Sequence, residues 1–210
     1  QHGGQIHLIL GNHEIMVMSN DLRYVSAKEQ QVANMHQVSY QQLYHPTRSV
    51  LGRWLSTKPA ALKIDEILFA HGGIIMGSSL KSFNDRAYDY TQTPLFSHLM
   101  EQPFDSVSFS QVEREEQKDY LYDSFGPFWF RGYVQTDTLG SYLDAILLNN
   151  KAKLHVVGHT TVPSISSFYK GKLIATNVPK AGTEMLLLTK SKRSKYHRFR
   201  INLFGEVVVL

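Results

Sequence analysis

Three short apolar runs in this sequence are each followed at once by a polar loop that contains glycine and histidine. They are residues 6–10 before Gly11-Asn12-His13-Glu14, residues 67–70 before His71-Gly72-Gly73, and residues 154–157 before Gly158-His159-Thr160. Runs of this length and composition predict buried strands. In an α/β sheet, ligands bind in the crevice beyond the carboxyl ends of the strands. The sequence therefore predicts that Asn12, His13, His71 and His159 meet in one crevice.

The side chains expected in this crevice suit a metal ion bound through nitrogen and oxygen. Neutral imidazole and an amide oxygen are ligands for zinc, iron or manganese. The chain has no cysteine, which excludes disulfides, thiolate metal sites, iron–sulfur clusters and cysteine nucleophiles. One histidine after a strand is usually structural, but three in the same arrangement favour a functional site.

The remaining periodicity predicts a single α/β domain over residues 1–210. Helices are expected at 27–44, in a short segment capped by Thr47 or Ser49, at 111–122, and at 137–149, capped by Thr136 or Asp137. Further strands are expected at 61–64, 164–169, 172–176, 184–189, 195–203 and 207–210, with Asp65 and Glu66 joining strands 61–64 and 67–70. This order fits a layered sandwich with helices outside two sheets.

The positive charge of the chain is concentrated in one segment. Six basic residues lie within eleven positions that contain no acid: Lys190, Lys192, Arg193, Lys195, Arg198 and Arg200. Without them the net charge of +4 becomes −2, so we expect no nucleic-acid partner. The segment is either a solvated hairpin tip or a patch that attracts phosphate.

No apolar run approaches the ~18 residues that a membrane helix needs. We therefore expect a soluble protein without a membrane partner, in the cytoplasm or the periplasm. The sequence predicts no oligomeric state.

The three loops resemble the last three motifs of the calcineurin-like metallophosphoesterases, in the same order and after the same strands. Two further segments, residues 51–55 (LGRWL) and 126–132 (GPFWFRG), resemble the bacterial Shewanella-like branch of the phosphoprotein phosphatases. The resemblance implies a four-layer α/β/β/α sandwich and suggests a bacterial source.

The resemblance also implies a role for each residue of the crevice. In such enzymes two metal ions (Mn, Fe or Zn), about 3.5–4 Å apart, clamp a phosphate and activate a bridging water. Asn12, His71 and His159 would hold the second metal ion. His13 would be the general acid beside the leaving-group oxygen, and Arg131 would bind the phosphoryl oxygens. Glu14 would have only a hydrogen-bonding role at the start of a helix.

The family's two earlier motifs, which supply the ligands of the first metal ion, do not occur in this sequence. Either an N-terminal part is missing from the sequence, or the chain is a natural fragment with half a site. Alone, it is expected to show little phosphatase activity and to expose apolar strand edges.

Three functions follow from this reading. The leading one is a metal-dependent phosphatase that hydrolyses phosphate monoesters, either phosphoprotein or a small phosphoester. The alternatives are hydrolysis of a dinucleoside polyphosphate or another phosphodiester, and a non-catalytic pseudophosphatase that serves as a binding module.

Overall fold

The computed structural model describes residues 3–75, 78–92, 115–179, 183–191 and 195–210. Helices in these ranges are α1 (Asn12–Met18), α2 (Ala27–Met35), α3 (Tyr40–Leu43), α4 (Val50–Ser56), α5 (Leu80–Thr91), α6 (Glu115–Tyr122), α7 (Gly132–Gln135) and α8 (Gly140–Asn149), with a 3₁₀ turn at Tyr169–Gly171. None of the helices in these ranges has the length and apolar character needed to cross a membrane.

The strands form two sheets. They are β1 (Ala61–Ile64), β2 (Ile67–Ala70), β3 (Leu154–Val157), β4 (Ser166–Phe168), β5 (Leu173–Ala175), β6 (Glu184–Lys190), β7 (Tyr196–Asn202) and β8 (Val207–Val209). The first sheet has the order β1-β2-β3-β5-β4, in which β2, β3 and β5 are parallel and the two edge strands are antiparallel. The second sheet, β6-β7-β8, is antiparallel.

The two sheets and the helices form layers. Along β2 and β3 the side chains alternate, so that Leu68 and Val157 pack into the helical core. Ile67 and Val156 face the opposite way and pack with residues of the second sheet, such as Leu186. This arrangement confirms the predicted α/β class. The described residues supply a helix–sheet–sheet stack.

The outer face of the second sheet carries exposed apolar side chains. Met185, Leu187, Val207 and Val209 are all exposed. No helix among the described residues covers this face, so the fourth layer of the expected sandwich stays a prediction.

Serine side chains start several of the helices. Ser26, Ser39 and Ser49 each accept a hydrogen bond from the backbone N–H three residues on. Of the two caps predicted for this helix, Thr47 and Ser49, it is Ser49 that caps α4. The single helix predicted at 27–44 is two helices, because Gln37 adopts a left-handed backbone (φ 58°) and Ser39 starts a new helix.

Two sequence predictions about element position are wrong. Residues 6–10 are not a buried strand: Ile6 is fully exposed, and only Leu10 is buried, with its N–H donating to Pro59 O at 2.9 Å. The last long helix begins at Gly140, not at 137, and neither Thr136 nor Asp137 caps it, because the N-cap position is Leu139, which makes no side-chain cap hydrogen bond.

The region between β2 and α8 was the least predictable. Residues 111–114 of the predicted helix lie outside the described residues, and α6 covers the remainder of it. Helix α5 was not predicted. It packs on β1 and α6, and its Asn84 amide accepts from Ala61 N and donates to Ala61 O.

The basic segment is a hairpin connection only in part. β6 and β7 pair over their full length, and residues 192–194 between them lie outside the described residues. Arg198 and Arg200 lie within β7 instead of at the tip. Arg198 donates to Gly171 O, and Arg200 bonds to Ser164 and lies 4.0 Å from Glu184. These two cations serve contacts between the sheets.

Candidate metal centre

The candidate centre lies where β2 and β3 end side by side. Their parallel register pairs Ala70 with Val157, which makes His71 and Gly158 neighbours. The Gly158 N–H donates to His71 O at 2.8 Å and extends the pairing into the loops. The start of α1 reaches the same edge. The sequence prediction that these three loops converge is confirmed in position, although the first loop follows an extended segment and not a strand.

Three donor atoms from these loops point at one another. Asn12 Oδ1 lies 2.7 Å from His71 Nε2, and His71 Nε2 lies 3.0 Å from His159 Nδ1. The two imidazole rings are 4.9 Å apart between centroids and tilted by 56°. Asn12 is buried, so its amide can reorient little.

Burial keeps both imidazoles neutral. It lowers the pKa of His71 to about 4, and the positive charges of His159, His13 and Arg131 act in the same direction. Burial likewise lowers the pKa of His159 to about 4, with Arg131 as the next cause. Neutral imidazole is the form that binds metal, so no proton has to leave before a cation enters at neutral pH.

The donor set fits a metal ion in chemistry and spacing. Ligand atoms bound at about 2.1 Å lie about 3.0 Å apart in octahedral and about 3.4 Å apart in tetrahedral coordination, so the measured 2.7 and 3.0 Å are closest to the octahedral spacing. Among the described residues, no group of three His, Cys, Asp or Glu side chains is placed to hold a metal. The candidate centre therefore depends on the amide of Asn12 together with His71 and His159.

A strained backbone presents His159. Its φ of 56° lies in the left-handed region, which non-glycine residues adopt at a cost and which recurs at functional sites. Arg131 Nη1 donates to His159 O at 3.1 Å, and Asn177 Nδ2 donates to the same oxygen at 3.0 Å. These two hydrogen bonds hold the strained residue. Asn177 follows Thr176 directly after β5, and two small polar residues after a strand are too common to single out from the sequence.

Close packing around His71 requires glycine at position 11. A Cβ at Gly11 would lie 2.7 Å from His71 Nδ1, closer than side chains approach. Glu14 Oε2 accepts a hydrogen bond from the Gly11 N–H at 2.8 Å, which confirms its predicted role at the helix start.

A buried histidine behind the site supports the loop after His71. His155 Nε2 accepts from the Ile74 N–H at 3.0 Å, and Tyr133 donates to Ile74 O at 2.8 Å. The side chain of His155 is fully buried. Sequence analysis missed it, because it lies inside the apolar run that predicts β3.

His13 and Arg131 border the same opening. His13 is the second residue of α1 and is exposed, and its ring stacks on that of Tyr24 at 5.4 Å and 15°. The cavity has a volume of about 640 Å³. Its lining residues are Asn12, His13, Tyr24, His71, Trp129, Arg131, Gly158, His159, Thr176 and Asn177. All five residues singled out from the sequence as site residues therefore share one cavity.

Comparisons with known proteins agree with this geometry. A model of the family described as calcineurin-like phosphoesterase matches residues 1–163. Shewanella-like protein phosphatase 1 from Plasmodium berghei (strain Anka) is 30% identical over 172 residues, which covers 75% of this chain and 42% of that protein.

Solved structures of cold-active protein tyrosine phosphatase are similar over 99% of this chain. The structure at 1.1 Å is 27% identical with a TM-score of 0.76, and that from a psychrophilic Shewanella species is 26% identical with a TM-score of 0.71. This chain covers 58% and 59% of those chains. It thus spans about half the length of the relatives that it matches. Because they come from Plasmodium and Shewanella, a bacterial source stays a prediction.

Proposed function

The chain belongs to the calcineurin-like phosphoesterase family, and we propose that its cavity hydrolyses phosphate monoesters with the help of bound metal. The observation that carries the proposal is that His71 Nε2 lies 2.7 Å from Asn12 Oδ1 and 3.0 Å from His159 Nδ1, at the edge where two parallel strands end. The substrate proposed is a phosphoprotein or a small phosphoester, since the relatives carry the name of phosphatases.

Asn12, His71 and His159 would hold one metal ion of Mn, Fe or Zn. A bound metal ion of this kind polarises phosphoryl oxygen and lowers the pKa of water at the site. Asn12, His71 and His159 would present three uncharged ligand atoms at a rigid edge of the sheet. His71 is fixed through its carbonyl by Gly158, and His159 through its carbonyl by Arg131 and Asn177.

Arg131 would bind the oxygen atoms of the phosphoryl group. Its guanidinium lines the cavity, and its Nη1 contact with His159 O sets its position. A planar guanidinium offers paired donors that match phosphoryl oxygens in geometry and charge. Replacement by alanine would weaken phosphate binding without removing the metal.

His13 would supply the proton to the leaving group. It follows Asn12 in the chain, is exposed, and lines the cavity. Among the described residues, no side-chain hydrogen bond joins His13 to Asn12, His71 or His159. A general acid must lie beside the departing oxygen without being held by metal, and typically contributes about 10²–10⁴-fold to rate.

Metal content tests the centre directly. The purified chain is equilibrated with Mn²⁺, dialysed, and analysed for metal per chain, alongside His71→Ala and His36→Ala. His36 is an exposed histidine at the end of α2 and outside the cavity lining, which makes it a matched control. We expect about one metal ion per chain in the parent and in His36→Ala, and a loss of binding in His71→Ala. Full retention in His71→Ala would refute the site.

Hydrolysis of p-nitrophenyl phosphate by the Mn²⁺-loaded chain then tests the activity. His13→Asn should lower turnover by about 10²–10⁴-fold with its metal content unchanged, as expected for a general acid. If His13→Asn loses metal instead, the role given to His13 is wrong. Metal binding without any hydrolysis would refute catalysis by this chain alone.

A further inference from the structure

Tyr24 is an exposed aromatic residue at the mouth of the cavity, next to an ion pair between the buried Asp21 carboxylate and the exposed Arg23 side chain. The Asp21 carboxylate is buried and accepts from Arg23 Nε at 2.8 Å and from Arg23 Nη2 at 2.7 Å. The Asp21 N–H donates to Met16 O at 2.8 Å, which ties this turn to α1. Helix α1 also carries His13. The turn and the helix therefore fix the Tyr24 ring relative to that of His13.

The ring of Tyr24 covers one side of His13 and leaves its other surfaces open. The two rings are nearly parallel, at 15°, yet 62% of Tyr24 remains exposed. A large aromatic side chain anchored this way at the edge of a polar cavity offers a flat apolar surface to whatever enters. Trp129 is the other large aromatic side chain of the lining, and its contacts are with the protein. Its Nε1 donates to Leu121 O at 3.0 Å, and its ring packs against His159 in an edge-to-face arrangement.

Tyr24 lies on the side of the cavity where the leaving group of the substrate would extend. Arg131 and the metal ligands lie where the phosphoryl group would bind, and His13 lies where the leaving-group oxygen would be. Atoms beyond that oxygen extend past His13, and Tyr24 is the side chain stacked on it. This step depends on the role proposed for His13.

We propose that Tyr24 is a specificity-determining residue, whose ring packs against the leaving group and favours aromatic phosphoesters over aliphatic ones. Aromatic rings stack with offset faces and gain more from each other than from an alkyl chain of similar area. A stacked pair worth about 0.5–1.5 kcal/mol corresponds to a preference of up to about tenfold.

Binding of two unreactive phosphonates to the Mn²⁺-loaded chain tests this proposal. Phenylphosphonate carries an aromatic ring and methylphosphonate does not, and calorimetry gives the affinity of each. The variants are Tyr24→Leu, Tyr24→Phe and Tyr88→Leu; Tyr88 is an equally exposed tyrosine on α5, outside the cavity lining. We expect a preference of about two- to tenfold for phenylphosphonate in the parent, Tyr24→Phe and Tyr88→Leu, and little preference in Tyr24→Leu.

The outcomes separate the two proposals. If neither phosphonate binds the parent chain, the phosphoesterase site itself is refuted. If both bind and Tyr24→Leu keeps the preference of the parent, the role of Tyr24 is refuted and the phosphoryl site stands. If Tyr24→Leu weakens both ligands equally, Tyr24 maintains the shape of the cavity and selects nothing, which also overturns the proposal.

Discussion

Protonation of His155 should destabilise the folded chain at mildly acidic pH. Both nitrogens of this fully buried ring are committed: Nδ1 lies 3.4 Å from Leu68 O, which can only accept, and Nε2 accepts from the Ile74 N–H at 3.0 Å. A second ring proton would therefore point at the Ile74 N–H. The neutral form with hydrogen on Nδ1 is the form that this environment supports.

The size of the effect follows from the pKa of the buried ring. Burial lowers the pKa of His155 from 6.5 to about 4. Because the unfolded chain takes up the proton at higher pH than the folded chain, the contribution to stability is full above pH 6.5 and disappears as the pH falls towards 4. The whole shift corresponds to about 3 kcal/mol, of which about 2 kcal/mol is lost by pH 5.

Urea unfolding of the metal-free chain at pH 7.5 and pH 5 measures this loss. His71 and His159 also have lowered pKa values and add to the fall, so the difference between the parent and His155→Leu isolates the share of His155. At pH 7.5 the variant should be less stable by about 1–3 kcal/mol, because the Ile74 N–H loses its acceptor. Between the two pH values it should lose about 2 kcal/mol less than the parent.

An equal fall in stability for the parent and His155→Leu would refute this reasoning. If the variant does not fold, nuclear magnetic resonance of the parent gives the same information through the titration of the His155 ring. A His155 resonance that titrates near pH 6.5 in the folded chain would likewise contradict the argument.

Other residues around the site lead to further expected results. Gly11→Ala should displace the His71 ring and reduce Mn²⁺ binding, measured by calorimetry, whereas Gly4→Ala, which meets no atom within 4 Å, should bind metal as the parent does. Asp21→Asn should lower the free energy of unfolding by about 1–3 kcal/mol, because a buried carboxylate bonded to Arg23 is lost, and urea titration measures it. Inorganic phosphate should tighten Mn²⁺ binding, since none of the cavity-lining side chains is a carboxylate; equal affinities with and without phosphate would contradict this.

The sequence predicts the two strand ends well because each is specified locally. β2 is apolar throughout and β3 is apolar except for His155, and a sheet buried on both faces selects such runs. Residues 6–10 have the same composition but do not form a strand, because strand formation also requires a neighbour to pair with. That neighbour is a tertiary property, and among the described residues the one backbone hydrogen bond of this segment to another part of the chain is that of Leu10 to Pro59.

Side chains that act through tertiary contacts could not be identified in the same way. Tyr24 follows a turn in a segment with no recognisable motif, and only the Asp21–Arg23 ion pair and the fold of α1 bring it onto His13. His155 is one polar residue in an apolar strand, where its partners in the loop after His71 lie 81 positions earlier in the chain.

The charges in the cavity couple the binding of the two proposed ligands, the metal ion and the phosphoryl group. The donors Asn12, His71 and His159 are uncharged at neutral pH, and Arg131 adds a positive charge beside them. A divalent cation bound there gains no neutralisation from the side chains that line the cavity, so its charge must be balanced from elsewhere. A phosphoryl group between the metal ion and Arg131 would supply negative charge to both. The metal ion and the phosphoryl group thus balance each other's charge, which the cavity-lining side chains do not do for the metal ion. Binding of either one should therefore strengthen binding of the other.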